Sequence, residues 1–113
     1  MEKGRELKMK LLNPFTENTR NLFLYIFCCM DCGRSDRGLQ LHHIVGRDSN
    51  SAFNAIVLCN VCHEKCNHSQ EEERKYFKTT FNFLLITNYE PTENDLKFLR
   101  DYFNRLVYNN IKI

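Results

Sequence analysis

All ten cysteines and histidines of this 113-residue chain lie between Cys28 and His68. Within that window stand Cys29-Met30-Asp31-Cys32, then His42-His43, then Asn54, then Cys59-Asn60-Val61-Cys62-His63. The two CxxC pairs are 26 residues apart. Together they offer four thiolates, the number that tetrahedral Zn²⁺ takes at about 2.3 Å. Such a shell leaves no open coordination position. The zinc predicted on Cys29, Cys32, Cys59 and Cys62 is therefore structural and contributes directly to folding. Cys28 could replace Cys29 in a C-x3-C pair, but C-x2-C followed by Gly33 makes the better knuckle, because glycine permits the tight turn under the metal. Cys66 is expected to be a small buried hydrophobe rather than a ligand. A redox role for either CxxC pair is the competing reading, and it predicts no bound zinc.

The four histidines remain. His42 and His43 are adjacent on a predicted strand, so their side chains point to opposite faces. One can hold a metal while the other does something else. His63 opens a short predicted helix directly after Cys62, and Asn54 lies on the loop before it. Read singly, each has a bland alternative: a satisfied zinc-finger histidine for His42 or His43, a turn residue for Asn54, a surface histidine for His68.

The combination Cys29-x2-Cys32, His42-His43-Ile44, Asn54, Leu58-Cys59-x2-Cys62-His63 resembles the HNH endonuclease family in its zinc-stapled form, over roughly residues 28–68. The resemblance implies a ββα-metal core: two short strands and a helix around one divalent ion. It assigns His43 as general base and His42, just before it, as a metal ligand. Asn54 would brace the loop and help to orient the base, and His63 would be a second metal ligand. A further ligand position in some members falls on Asn67, with His68 as the substitute. The chain departs from the family between Ile44 and Ser51, where the usual proline and glycine pair are missing. Arg47 on this loop is a weak candidate for a phosphate contact.

The chemistry suits these residues. Histidine can take a proton from water near neutral pH, and a divalent ion with open positions can relieve charge on a phosphodiester's leaving oxygen. Few protein ligands and several waters suit Mg²⁺ or Mn²⁺, while two imidazoles also suit Zn²⁺ or Ni²⁺. The resemblance thus implies a metal-dependent DNA nuclease that nicks or cuts, phage-like in character. The alternative is a non-catalytic zinc module that binds nucleic acid or protein.

The elements that must position these residues are legible in outline. Asn13-Pro14 fits a helix start, and Phe15, Thr19, Leu22, Phe23 and Ile26 share a helical face, so a helix is expected over 14–27. Leu39 and Leu41 alternate with Gln40 and His42 as in a strand. Residues 46–54 read as a polar loop, residues 55–58 as a second short strand, and residues 60–67 as a short helix. Ser69-x2-Glu72 matches a capping box opening a helix to about Leu85, with Tyr76, Phe77, Thr80, Phe81 and Leu84 buried. Thr92 caps a last helix whose expected buried face is Leu96, Leu99, Phe103, Leu106 and Val107. Tyr89, Tyr102 and Tyr108 are read as core, with base stacking unsupported.

The expected fold is thus small and α+β. It has a treble-clef-like ββα-metal core with structural zinc, an N-terminal helix, and two C-terminal helices in an extension over 69–113, all within one domain of residues 1–113. A charged fraction of 27% against 42% hydrophobic excludes a disordered chain. The net charge of +2 is too weak to argue for DNA binding alone. Residues 1–20 carry a basic surplus of two, and Arg34 and Arg37 flank the metal window. The longest apolar run, Leu22 to Met30, is about half of the roughly 20 residues a membrane helix needs. With no signal-peptide core at the start, a cytoplasmic setting without membrane contact is expected. DNA, duplex or branched, is the expected partner. Symmetric cutting of a branched substrate would require a homodimer. The Phe-rich C-terminal helices could supply its face, or could equally close the core.

Overall fold

A computed structural model of the chain describes residues 15–46 and 49–111. Asn13, Pro14 and Arg47, with the helix start and phosphate contact expected of them, lie outside the described residues. Among the described residues the architecture is a small α+β fold: a short helix, a β-hairpin, then three helices. In chain order these are α1 (Glu17–Leu22), β1 (Leu39–His43), a 3₁₀ turn (Ala52–Asn54), β2 (Ala55–Cys59), α2 (Asn60–Lys65), α3 (Gln70–Ile86) and α4 (Glu93–Ile111).

The strands pair antiparallel, with Leu39 opposite Cys59 and His43 opposite Ala55. Period-2 alternation in β1 puts Leu41 and His43 on the buried face and Gln40 and His42 on the other. Strand β2 is buried along its whole length. Its continuous apolar run fits a strand covered on both faces: α3 bonds to it through Thr80 Oγ1, which donates to the Ala55 carbonyl at 2.6 Å, and the segment after α1 meets it where the Met30 amide donates to the Val57 carbonyl at 2.8 Å.

Helix α1 is shorter than the expected span of 14–27. Thr16 caps it, accepting from the Thr19 amide at 3.2 Å, and the chain leaves the helix at Phe23. The apolar run cannot all face one side: Phe15 and Phe23 are buried while Leu24, Tyr25 and Phe27 are exposed. Leaving the helix early allows Phe23 to pack on Phe83 of α3, with ring centres 5.0 Å apart, and lets the chain turn into Cys29. Helix α2 likewise stops at Lys65, two residues before the expected Asn67.

Ser69 caps α3 as expected, accepting from the Glu72 amide at 3.1 Å. The reciprocal half of the capping box is redirected, for the Glu72 carboxylate accepts from the Asn67 and His68 amides, both at 3.1 Å, instead of the Ser69 amide. The buried face of α3 is Tyr76, Phe77, Thr80 and Leu84, with Phe81 half-buried.

In α4 the expected face is corrected. Leu96, Phe103 and Val107 are exposed, and Asp95, Phe98 and Tyr102 are buried, with Leu99 and Leu106 half-buried beside them. The rotation follows from Asp95, which turns inward to accept from Ser51 Oγ at 2.6 Å, from the Thr92 amide at 2.9 Å, and from the Tyr89 hydroxyl. Phe98 and Tyr102, one and two turns on, follow it into the core, where Tyr102 lies 4.7 Å from Phe77 between ring centres. The C-terminal helices thus close the core with one face and leave Leu85, Ile86, Phe103 and Val107 exposed on the other. No helix among the described residues is long and apolar enough to cross a membrane.

Candidate functional site

Cys29, Cys32, Cys59 and Cys62 converge, with their four sulfurs within 4.8 Å of one another. Each pair forms the same local turn. The Cys32 amide donates to Cys29 Sγ at 3.5 Å, and the Cys62 amide to Cys59 Sγ at 3.4 Å. Gly33, directly after the first pair, has φ +79°, a conformation that glycine adopts without strain. In the second pair Cys59 doubles as the N-cap of α2.

The sulfur spacing fits a common ion. Tetrahedral Zn–S bonds of about 2.3 Å put sulfurs about 3.8 Å apart, and Cys32 Sγ lies 3.8 Å from Cys59 Sγ. Electrostatics points the same way. The Cys62 amide, with the Arg37 guanidinium, holds the Cys59 thiol down at about 6 against its burial, whereas burial and the neighbouring cysteines push Cys62 well up. Four thiolates this close repel one another, and a divalent cation relieves that repulsion. The cluster is consistent with a zinc-binding module.

On the far face of β1 a second group gathers around His42. Its ring centre lies 5.0 Å from that of His63, edge to face, and 6.0 Å from that of His68. Burial, then the nearby His63 and His68, lower the His42 pKa to about 4. His42 is therefore neutral at pH 7, the form in which imidazole binds metals. Asn67 is not aimed here, because its Oδ1 accepts from the Ser69 amide at 2.9 Å. His68, its substitute, is brought in.

Cys66 is not a plain hydrophobe as the sequence suggested. Its sulfur lies 3.6 Å from His42 Nε2 and 3.9 Å from His68 Nδ1, and donates to Glu72 Oε1 at 2.8 Å. Burial and the Glu72 carboxylate push the thiol up to about 11. Cys66 is the C-cap of α2, already in extended backbone, so it leaves the face of Cys62 and joins His42 instead, a placement that helical spacing does not signal.

On the other face His43 is 8% exposed. Its ring stacks on Phe15 at 3.8 Å between centres, and Nε2 lies 3.3 Å from Asn50 Oδ1. Asn50 was not marked by sequence reasoning and Phe15 only as part of a helical face, since both contacts depend on how α1 and the loop fold back. Asn54 is fully buried. Its Oδ1 accepts from the Val45 amide at 2.9 Å, and its Nδ2 donates to the Gly46 and Ser49 carbonyls, both at 3.0 Å. It therefore pins both ends of the segment that follows His43. No protein-family model, curated protein or solved structure matches this chain.

Proposed function

We propose that the chain is an HNH-type, metal-dependent endonuclease acting on DNA, in which the four-cysteine zinc holds a ββα-metal core and His42 and His63 hold a hydrolytic divalent ion. The observation that carries this reading is the division of labour across β1. His43 stands on one face, next to a loop locked by Asn54, and His42 stands on the other, beside His63.

The rings of His42 and His63 lie 5.0 Å apart between centres, a spacing that supports their being drawn onto one cation at about 2.1 Å. Such an ion, Mg²⁺ or Mn²⁺ by preference, would relieve charge on the leaving oxygen. The protein's own part is positional and basic. His43, oriented by the contact of its Nε2 with Asn50 Oδ1, would take the proton from the attacking water. Phe15 fixes the ring plane. Asn54 fixes the loop that carries Asn50, so the ring's orientation is set through Asn50.

One observation favours a second reading, a non-catalytic zinc module: His43 is largely covered by Phe15. Incubation with supercoiled plasmid separates the two. The nuclease reading predicts nicked or linear product in Mg²⁺ or Mn²⁺, with 5′-phosphate and 3′-hydroxyl ends. Plasmid left intact across all divalent ions, with salt-sensitive DNA binding, would establish the module instead.

A further inference from the structure

We propose that Cys66, His42 and His68, beside Glu72, form a second transition-metal site that takes thiophilic ions such as Zn²⁺ or Co²⁺ and excludes Mg²⁺. The three primary donor atoms all lie within 4.8 Å of one another. A sulfur and an imidazole nitrogen on one tetrahedral Zn²⁺ are about 3.6 Å apart. Cys66 Sγ lies 3.6 Å from His42 Nε2 and 3.9 Å from His68 Nδ1. Glu72 Oε1, 2.8 Å from the sulfur, accepts the thiol's hydrogen bond; on binding, that proton goes to solvent and water completes the shell.

The backbone is arranged for this convergence. His68 has φ +56°, a conformation that non-glycine residues seldom adopt. Glu72 holds it there by accepting from the Asn67 and His68 amides. A cysteine serving only as a hydrogen-bond donor to the Glu72 cap would not need two imidazole nitrogens facing its sulfur. Thiolate and imidazole donors select borderline and soft ions, while Mg²⁺ demands oxygen.

The site shares His42 with the hydrolytic pair. On the nuclease reading, on which this consequence rests, a soft ion here withdraws a ligand from the hydrolytic centre. Zinc then inhibits nicking driven by Mg²⁺.

Cobalt titration of the chain already holding one equivalent of zinc tests the site without relying on activity. A further equivalent of Co²⁺ should bind with a thiolate-to-cobalt charge-transfer band in the near ultraviolet. Cys66→Ala should abolish the band, and His68→Gln should weaken binding by at least about tenfold, with the first zinc and the helical circular dichroism unchanged in both. No further equivalent in the wild type, or an unchanged band in Cys66→Ala, overturns the proposal. If Cys66→Ala fails to fold, the wild-type stoichiometry and His68→Gln decide it. In a parallel nicking assay, micromolar Zn²⁺ should slow the wild type and spare Cys66→Ala. Equal inhibition of both would overturn the shared-ligand consequence. Absence of nicking in every ion would count against the nuclease reading, with the cobalt result standing separately.

Discussion

Asn54 commits its whole carboxamide to one loop: Oδ1 to Val45, Nδ2 to Gly46 and Ser49. A buried polar group that loses its partner costs about 1–3 kcal/mol, and Asn54→Ala leaves three such groups searching for water. The variant should be destabilised by about 2–3 kcal/mol in denaturant titration, and should lose any nicking activity disproportionately. A midpoint equal to wild type would show that the loop does not depend on Asn54. The paired cysteines and the opposed faces of His42 and His43 were legible from short-range spacing and strand alternation, and the loop-bracing place of Asn54 from the family resemblance. Cys66 was not. Its role depends on the left-handed turn at His68 and on a Glu72 side chain diverted from its expected cap, and neither follows from local pattern.

At the scale of elements, the fold depends on two knuckles that meet at the open end of the hairpin. The first is tied to α3 through Asp31, which accepts from Lys75 Nζ at 2.6 Å and from the Tyr76 hydroxyl at 2.8 Å. The second caps α2. Removing zinc should therefore cost the cooperative unfolding transition rather than one corner of the molecule. Thermal melts followed by circular dichroism, with metal stripped and then restored, should show the transition vanish and return. An unchanged melt in the stripped chain would deny the cage its folding role. Helix α4 makes a separate claim. Burial pushes the Asp95 carboxyl up, but donors from Ser51, Tyr89 and Thr92 more than offset this and leave it below the ordinary range. The folded state therefore holds that proton less tightly than the unfolded chain does. The stabilisation is complete above the unfolded Asp value of about 3.9 and is lost as pH falls through the lowered folded value. Asp95→Asn should lower stability at neutral pH and flatten its decline in acid. A parallel acid profile for variant and wild type would argue against the inward carboxylate. The two C-terminal helices could be read from their caps and periodicity, but the face α4 buries could not. Counting leucines and valines hides the pull of one buried aspartate.

At the scale of the whole molecule, the hairpin acts as a partition. The four-cysteine cage joins its open end to α2, His43 faces the α1 side under Phe15, and His42 faces α2 and the turn into α3. The order of strands and helices was legible from hydrophobic pattern and caps. The covering of His43 was not, because it depends on α1 closing over the loop, held there by the Thr19 hydroxyl donating to the Asn50 carbonyl at 3.3 Å. That arrangement places one residue at the centre of the proposed chemistry. The direct measurement is the plasmid-nicking rate of His43→Ala beside wild type, both carrying one zinc per chain and both supplied with Mg²⁺ or Mn²⁺. Loss of a general base predicts a fall of about 10²–10⁴-fold with the zinc content and melting transition kept. Equal rates in the two proteins would contradict the assignment of His43 as the base.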